Sequence, residues 1–378
     1  MTTPSIAIIG AGIGGLTLAA ALRRFGIAST IYEQAEKFGP VGAGIQLTAN
    51  SVKALAGLGL QERLLENGFC PELGLNRQWD TGEITNTLEM GPGLAARYGA
   101  PDIALHRSVL HDALAAKLDA GTIRLGKRLK EITQNREGVA LTFEDGEAVH
   151  ADAVVGADGL HSVVRRAALG DDKPLYTGKS AYRAIVPTAN IKADMIEERV
   201  KWWGPDRHIV SYFINPDKSL VYFIAVVPET ISEVESWSQR GDKSAMLAAF
   251  DGFHPRILAV LEGAEDVRKW GLFNRHPLER WSVDRITILG DACHPMPPFI
   301  AQGAASAIED AVVLARAISE SGGDGDLAAA FHRYEGARRE RTARMQITAL
   351  ENKWMKTAVD ADWVYGYDAW STPLPEHA

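Results

Sequence analysis

The uncharged run from Ser5 to Leu22 constrains this chain more than any other feature. Its length approaches the ~20 apolar residues of a membrane span. Four glycines, Gly10, Gly12, Gly14 and Gly15, interrupt it in the middle. No basic side chain precedes it in Met-Thr-Thr-Pro-Ser, so it also lacks the charged head of a signal peptide. A glycine-broken apolar run reads instead as a buried parallel strand over 5–9, a tight turn, and a helix over 16–24. A second strand over 29–32 then ends at Glu33.

The glycines match G-x-G-x-x-G at Gly10, Gly12 and Gly15, with Gly14 in the same loop. In such a loop the first glycine makes the turn, the second admits a pyrophosphate, and the third lets helix pack on strand. The free N–H groups of the helix start face the phosphates. Glu33 stands at about the 20-residue distance at which an acid accepts the ribose hydroxyls and repels a 2′-phosphate. This motif alone does not separate FAD from NAD. A net charge of −8 over 378 residues leaves no footprint for nucleic acid. Cys70 and Cys293 are too few for a disulfide framework and point to a reducing, cytoplasmic setting. Neither sits in a C-x-x-C pair, so no metal site is expected.

Two distant motifs narrow the choice. Residues 153–159 run as strand into Asp158-Gly159, with Ser162 and Arg165 following at three-residue steps. By itself this also reads as an ordinary strand, Asp-Gly turn and helix. Residues 285–292 run as strand into Gly290-Asp291, followed by His294, Pro295, Pro297 and Pro298. An apolar helix then begins near Gly303-Ala304, its positive end beside this proline-stiffened loop. Cys293 and His294 lack further ligands at metal spacing, so His294 reads as a packed loop residue.

The three motifs, in this order, resemble the fingerprints of the single-component, class A FAD-dependent aromatic hydroxylases, the group of para-hydroxybenzoate and salicylate hydroxylases. The resemblance spans residues 5 to about 345. It implies an α/β fold: a Rossmann-like FAD-binding domain (1–72, 101–174 and 271–345), an interleaved antiparallel-sheet substrate domain (73–100 and 175–270), and a C-terminal helical tail (346–378). It implies FAD held by the glycine loop, Glu33, Gln34, Arg107, Leu129, Asp158, Asp291, Pro298, Gly303 and Ala304. The loop from Gly42 to Gln46 would line the flavin ring. The remaining partners implied are NADH in preference to NADPH, O2 and a small aromatic substrate. No membrane partner is expected, and the chain would be a monomer or homodimer.

Other stretches are similar to the subgroup that acts on 6-hydroxynicotinate: Val200-Lys201-Trp202-Trp203, His208 with Tyr212, Asp291-Ala292-Cys293-His294-Pro295-Met296, and Trp363 to Asp368. That subgroup replaces a ring carboxylate by hydroxyl with loss of CO2. This chain departs from it in the expected substrate pocket. Gln46 and Phe299 stand where the subgroup has histidines, and Arg199 where it has cysteine. Gln46 is no base near neutral pH, and Phe299 offers an apolar wall. Arg199 either recovers a carboxylate contact or points to solvent. His208 and Tyr212, four apart on a strand, face one side and are the candidate proton acceptors or relays.

The expected reaction is hydroxylation of a hydroxylated, 6-hydroxynicotinate-like pyridine ring through a flavin C4a-hydroperoxide, with or without decarboxylation. A salicylate- or hydroxybenzoate-type hydroxylase and a flavoprotein without hydroxylase activity stay open as alternatives. The W-x-W-x-I-P signature of flavin halogenases is absent. The aromatic tail, with Trp354, Trp363, Tyr365, Tyr367 and Trp370, either covers the substrate domain or forms a dimer face.

Overall fold

The computed structural model describes residues 4–39, 43–230, 240–321, 326–354, 356 and 360–376. Gly42, expected beside the flavin ring, lies outside the described residues. A six-stranded sheet forms the floor of the molecule. Its order is Ser282–Val283, Ile286–Ile288, Ala153–Gly156, Ile6–Ile9, Ser29–Tyr32, Ile123–Arg124, parallel except at the Ser282–Val283 edge. Ile6–Ile9 and Ala153–Gly156 are buried at every position, which is why they read as continuous apolar runs.

The first helix, Ile13–Arg24, starts three residues before the expected position, because Gly12 is already its N-cap. Gly14 and Gly15 therefore lie inside it. A Cβ on Gly15 would stand 2.0 Å from the Gly10 carbonyl oxygen, so only glycine lets this helix sit on its strand. Gly10 has φ +104°, a left-handed turn that an L side chain resists. The helix Gly303–Glu320 packs along this first helix, and the long helix Leu327–Glu351 packs along Gly303–Glu320.

A seven-stranded sheet forms the roof, in the order Arg268–Asn274, Leu175–Pro187, Leu220–Pro228, His208–Phe213, Arg199–Trp203, Leu73–Gln78, Ile84–Glu89. It is antiparallel apart from one parallel pairing, Arg199–Trp203 with Leu73–Gln78. The expected boundary at 270/271 falls inside a roof strand, and that at 345/346 inside the long helix. Beyond that helix the described tail is irregular except for Asp362–Tyr365. The tail turns back onto the floor, where Trp370 Nε1 donates to the Ala54 carbonyl (2.9 Å). No helix among the described residues is long and apolar enough to cross a membrane.

Candidate functional site

Floor and roof enclose a cavity of about 320 Å³. On the floor side, backbone makes most of its wall. Gly12, Ile13 and Gly14 line it at the start of one helix, Gly303 and Ala304 at the start of another. Neither helix has a side-chain N-cap, so their first N–H donors are available to a ligand. A Cβ on Gly12 or Gly159 would meet no protein atom within 4 Å. The backbone there faces open space large enough to be filled by something other than protein.

The 290–302 loop is pinned from outside the cavity. His294 Nε2 meets Asp310 Oδ2 at 2.5 Å, Gln346 Nε2 donates to the Pro295 carbonyl (3.2 Å), and Gln302 Nε2 donates to Thr48 Oγ1 (2.8 Å). This presents Asp291, Pro298 and Phe299 to the cavity. His294 is thus a packed loop residue, buried against Trp281. Asp291 is open to the cavity yet deep in the fold. Burial raises its carboxyl above the usual range, opposed by His294 and Arg107, and this applies fully once a ligand fills the cavity. Arg107 opens the helix that follows Ile103–His106 and lines the same wall.

Strand alternation builds the roof. Arg199 pairs across to Tyr212 and Tyr212 to Tyr222; in the next row Asn76, Lys201, Val210, Ile224 and Arg183 follow one another. All eight side chains line the cavity. Gly44 brings the two layers together, because a Cβ there would stand 2.6 Å from the Tyr222 ring. The Tyr212 phenol is buried, which pushes its pKa well above the usual value. Burial therefore favours the protonated phenol, which can donate a hydrogen bond into the cavity.

Of the expected site residues, Gly12, Gly14, Gln46, Arg107, Asp291, Pro298, Phe299, Gly303, Ala304, Arg199 and Tyr212 line this cavity. Gly10 and Gly15 shape the turn behind it. Asp158 differs from expectation. Its carboxylate accepts from Ser162 Oγ (2.5 Å) and the Val163 and Val164 N–H groups, capping the helix Val163–Leu169, while Ala157 and Gly159 form the wall. His208 also differs. It stands against the edge of Phe299 (5.1 Å between centroids) and is not among the lining side chains. Glu33, Gln34 and Leu129 lie outside the cavity. Glu33 accepts from the Ala11 N–H (2.8 Å) at the glycine loop, Gln34 is exposed, and Leu129 is buried two residues past Lys127, whose N–H donates to the Glu33 carbonyl. Arg199 does not point to solvent: it lines the cavity, and its buried Nε has no hydrogen-bond partner.

Sequence reasoning missed Asp102 and Lys201. Asp102 accepts from the Ala49 N–H (3.0 Å), and burial lifts its carboxyl to about 6 against the pull of Arg199. No local signal marks Asp102. Lys201 was legible, because it stands two places from Arg199 on one strand. Trp354 and Tyr365 of the tail close one end of the cavity.

A sequence model of the family described as FAD binding domain matches residues 3–348. The chain is 41% identical to 6-hydroxynicotinate 3-monooxygenase of Bordetella bronchiseptica, over 99% of this chain and 97% of that one. It is 38% identical to the enzyme of the same name from Pseudomonas fluorescens, again over 99% and 97%. Among solved structures, a salicylate hydroxylase substrate complex superposes with a TM-score of 0.83 at 25% identity, covering 97% of this chain and 96% of the other.

Proposed function

This chain belongs to the FAD binding domain family and is an FAD-dependent aromatic monooxygenase; on that premise we propose that it uses NADH and O2 to hydroxylate a hydroxylated pyridine ring of the 6-hydroxynicotinate kind. The ring carboxylate leaves as CO2 when the attacked carbon carries one. The observation that carries this reading is the single cavity in which Gly12, Asp291, Pro298 and Gly303 of the floor face Arg199 and Tyr212 of the roof. The floor fits FAD. Two uncapped helix starts and the bare backbone at Gly12 and Gly159 suit a pyrophosphate, and Arg107 and Asp291 suit its polar chain. When bound, the flavin supplies electron transfer from the nicotinamide and activation of O2.

The residues of this chain bind, orient and dry the ring. Val210, Ile224, Trp270 and Phe299 form apolar walls that exclude water from the reacting centre. Tyr212 donates a hydrogen bond to a ring oxygen, and Gln46 can donate or accept one. Arg199, with a free buried Nε, suits an anionic group on the ring. Phe299 favours a second ring class, because an apolar wall tolerates a benzene ring as well as a pyridine.

The test is NADH oxidation by the purified flavoprotein with hydroxypyridines, pyridine carboxylates and hydroxybenzoates, counting product and hydrogen peroxide together. Coupled product from 6-hydroxynicotinate is expected. Coupled product from hydroxybenzoates alone would move the substrate to the second class, and bound flavin with no stimulation by any ring would sink the hydroxylase reading.

A further inference from the structure

Lys201 shares the cavity face of its strand with Arg199 and Trp203, while Val200 and Trp202 pack into the core behind. It is 8% exposed and lines the cavity. Among the described residues its Nζ has no carboxylate partner. It reaches Asn352 Oδ1 at 3.5 Å and stands over the Trp203 ring at 3.8 Å. The charged groups around it are cations: Arg199 on its own strand, Lys179 on the strand Leu175–Pro187, and Lys356 beyond the long helix. His208, on the adjacent strand, is kept toward its neutral form chiefly by burial, with Lys179 also opposing a charge on it, and Asn352 Nδ2 meets its Nδ1 at 3.3 Å. Burial, with the neighbouring cations, lowers the Lys201 pKa well below the ordinary lysine range. A buried ammonium with no anion beside it is disfavoured, which shifts the balance toward the amine.

An amine in a substrate cavity is a proton acceptor, and so is Asp102, but its carboxylate already accepts from the Ala49 N–H and is drawn toward Arg199. Tyr212 is a phenol whose ionisation burial opposes, and His208 packs against Phe299 and does not line the cavity. Gln46 has no basic group. We infer that Lys201 is the catalytic base of this chain, taking the proton of the substrate's ring hydroxyl and pairing with the oxyanion that results. The O–H bond breaks, its electron pair stays on the ring oxygen, and the proton forms a new N–H bond at Nζ. The ammonium then has the anion that the empty cavity lacks. The oxyanion feeds charge into the ring and makes it reactive toward an electrophilic oxygen. Asn352, in a left-handed conformation (φ 48°) at the end of the helix Leu327–Glu351, positions Nζ by accepting from it. The inference rests on the aromatic hydroxylase reading above and names its proton acceptor.

The experiment binds 6-hydroxynicotinate, 2-hydroxypyridine and 3-hydroxybenzoate to the flavin-loaded protein, below each ring's own pKa. Two quantities are read: the ultraviolet band of the ionised ring, and protons released to an indicator dye in weak buffer. Wild type should show the ionised band with no proton released, because the proton stays on Lys201. Lys201→Arg, already a cation, should show the band with about one proton released per ring. Lys201→Met should keep its flavin, bind the ring un-ionised, and turn over about 100-fold more slowly. An ionised band in Lys201→Met, or proton release by wild type, overturns the inference and leaves the hydroxylase reading standing. If Lys201→Met loses its flavin, the proton counts of wild type and Lys201→Arg decide. A wild type that holds flavin but binds no ring overturns the hydroxylase reading, and the inference with it.

Discussion

Replacing Arg338 by methionine should both destabilise the fold and loosen the wall that holds the cofactor. Arg338 is fully buried between two helices. Its Nη2 meets Glu309 Oε2 at 2.7 Å and its Nε donates to Asp310 Oδ1 at 2.8 Å. Arg341 and Asn50 also hold Glu309, but among the described residues Asp310 keeps only His294 and the Gly290 N–H when Arg338 is gone. Breaking a buried pair by removing one partner costs ~3–5 kcal/mol. With an unfolding entropy of ~2 cal/mol/K per residue, a chain this long loses about 5 °C in melting temperature. The pH dependence has a definite sign. Burial alone would raise Asp310, yet His294 and Arg338 hold its carboxyl at about 2, below the ordinary 3.8 of an aspartate. That depression stabilises the fold by about 2 kcal/mol above the unfolded value, and the stabilisation is lost as pH falls through the folded value. In Arg338→Met the carboxyl rises, so acid unfolding should begin at higher pH. Asp310, the partner of His294, would lose its anchor to the long helix, and the 290–302 loop should release flavin more easily. Melting followed by circular dichroism, an acid titration and flavin fluorescence test all three. An unchanged melting temperature and acid midpoint would refute the account of the network.

The glycine loop offers a contrast: Gly12→Ala should melt like wild type without flavin but bind it more than tenfold more weakly, because its Cβ projects into the open cavity, whereas Gly15→Ala should fail to fold stably, because its Cβ would strike the Gly10 carbonyl. Equal behaviour of the two in a flavin titration and a melt would contradict this division. Tyr212→Phe removes a donor from the roof and should slow product formation at least tenfold while stopped-flow flavin reduction by NADH stays within about twofold; equal losses in both would make Tyr212 structural. Gln46→His with Phe299→His places two imidazoles in the cavity lining and should raise kcat/KM for 6-hydroxynicotinate relative to 3-hydroxybenzoate at least tenfold, and no change in that ratio would assign specificity to other residues.

Local patterns sufficed wherever backbone geometry carries the chemistry. The strand-glycine-helix unit at 6–24 follows from close contacts that only glycine allows, and Gly290-Asp291 with its prolines follows from a loop that cannot continue a strand. Period-two alternation likewise put His208 and Tyr212 on one face of a strand, which the roof pairing bears out. What alternation could not supply was depth along that face. Tyr212 reaches the cavity and His208 does not; His208 instead packs against Phe299, contributed by a distant loop. The same limit hid Asp102 and left Arg199 ambiguous between ligand and solvent: both depend on which distant strands and tail residues cover them. Asp158 reads in sequence as a ligand to the cofactor, but in three dimensions its carboxylate is consumed by the helix it caps. The glycine turn of the cofactor layer was legible in the chain itself, since contact between Gly10 and Gly15 is short-range. The tertiary structure alone decided which side chains meet in the cavity and which of them are charged, because burial and the field of neighbours are properties of the assembled layers.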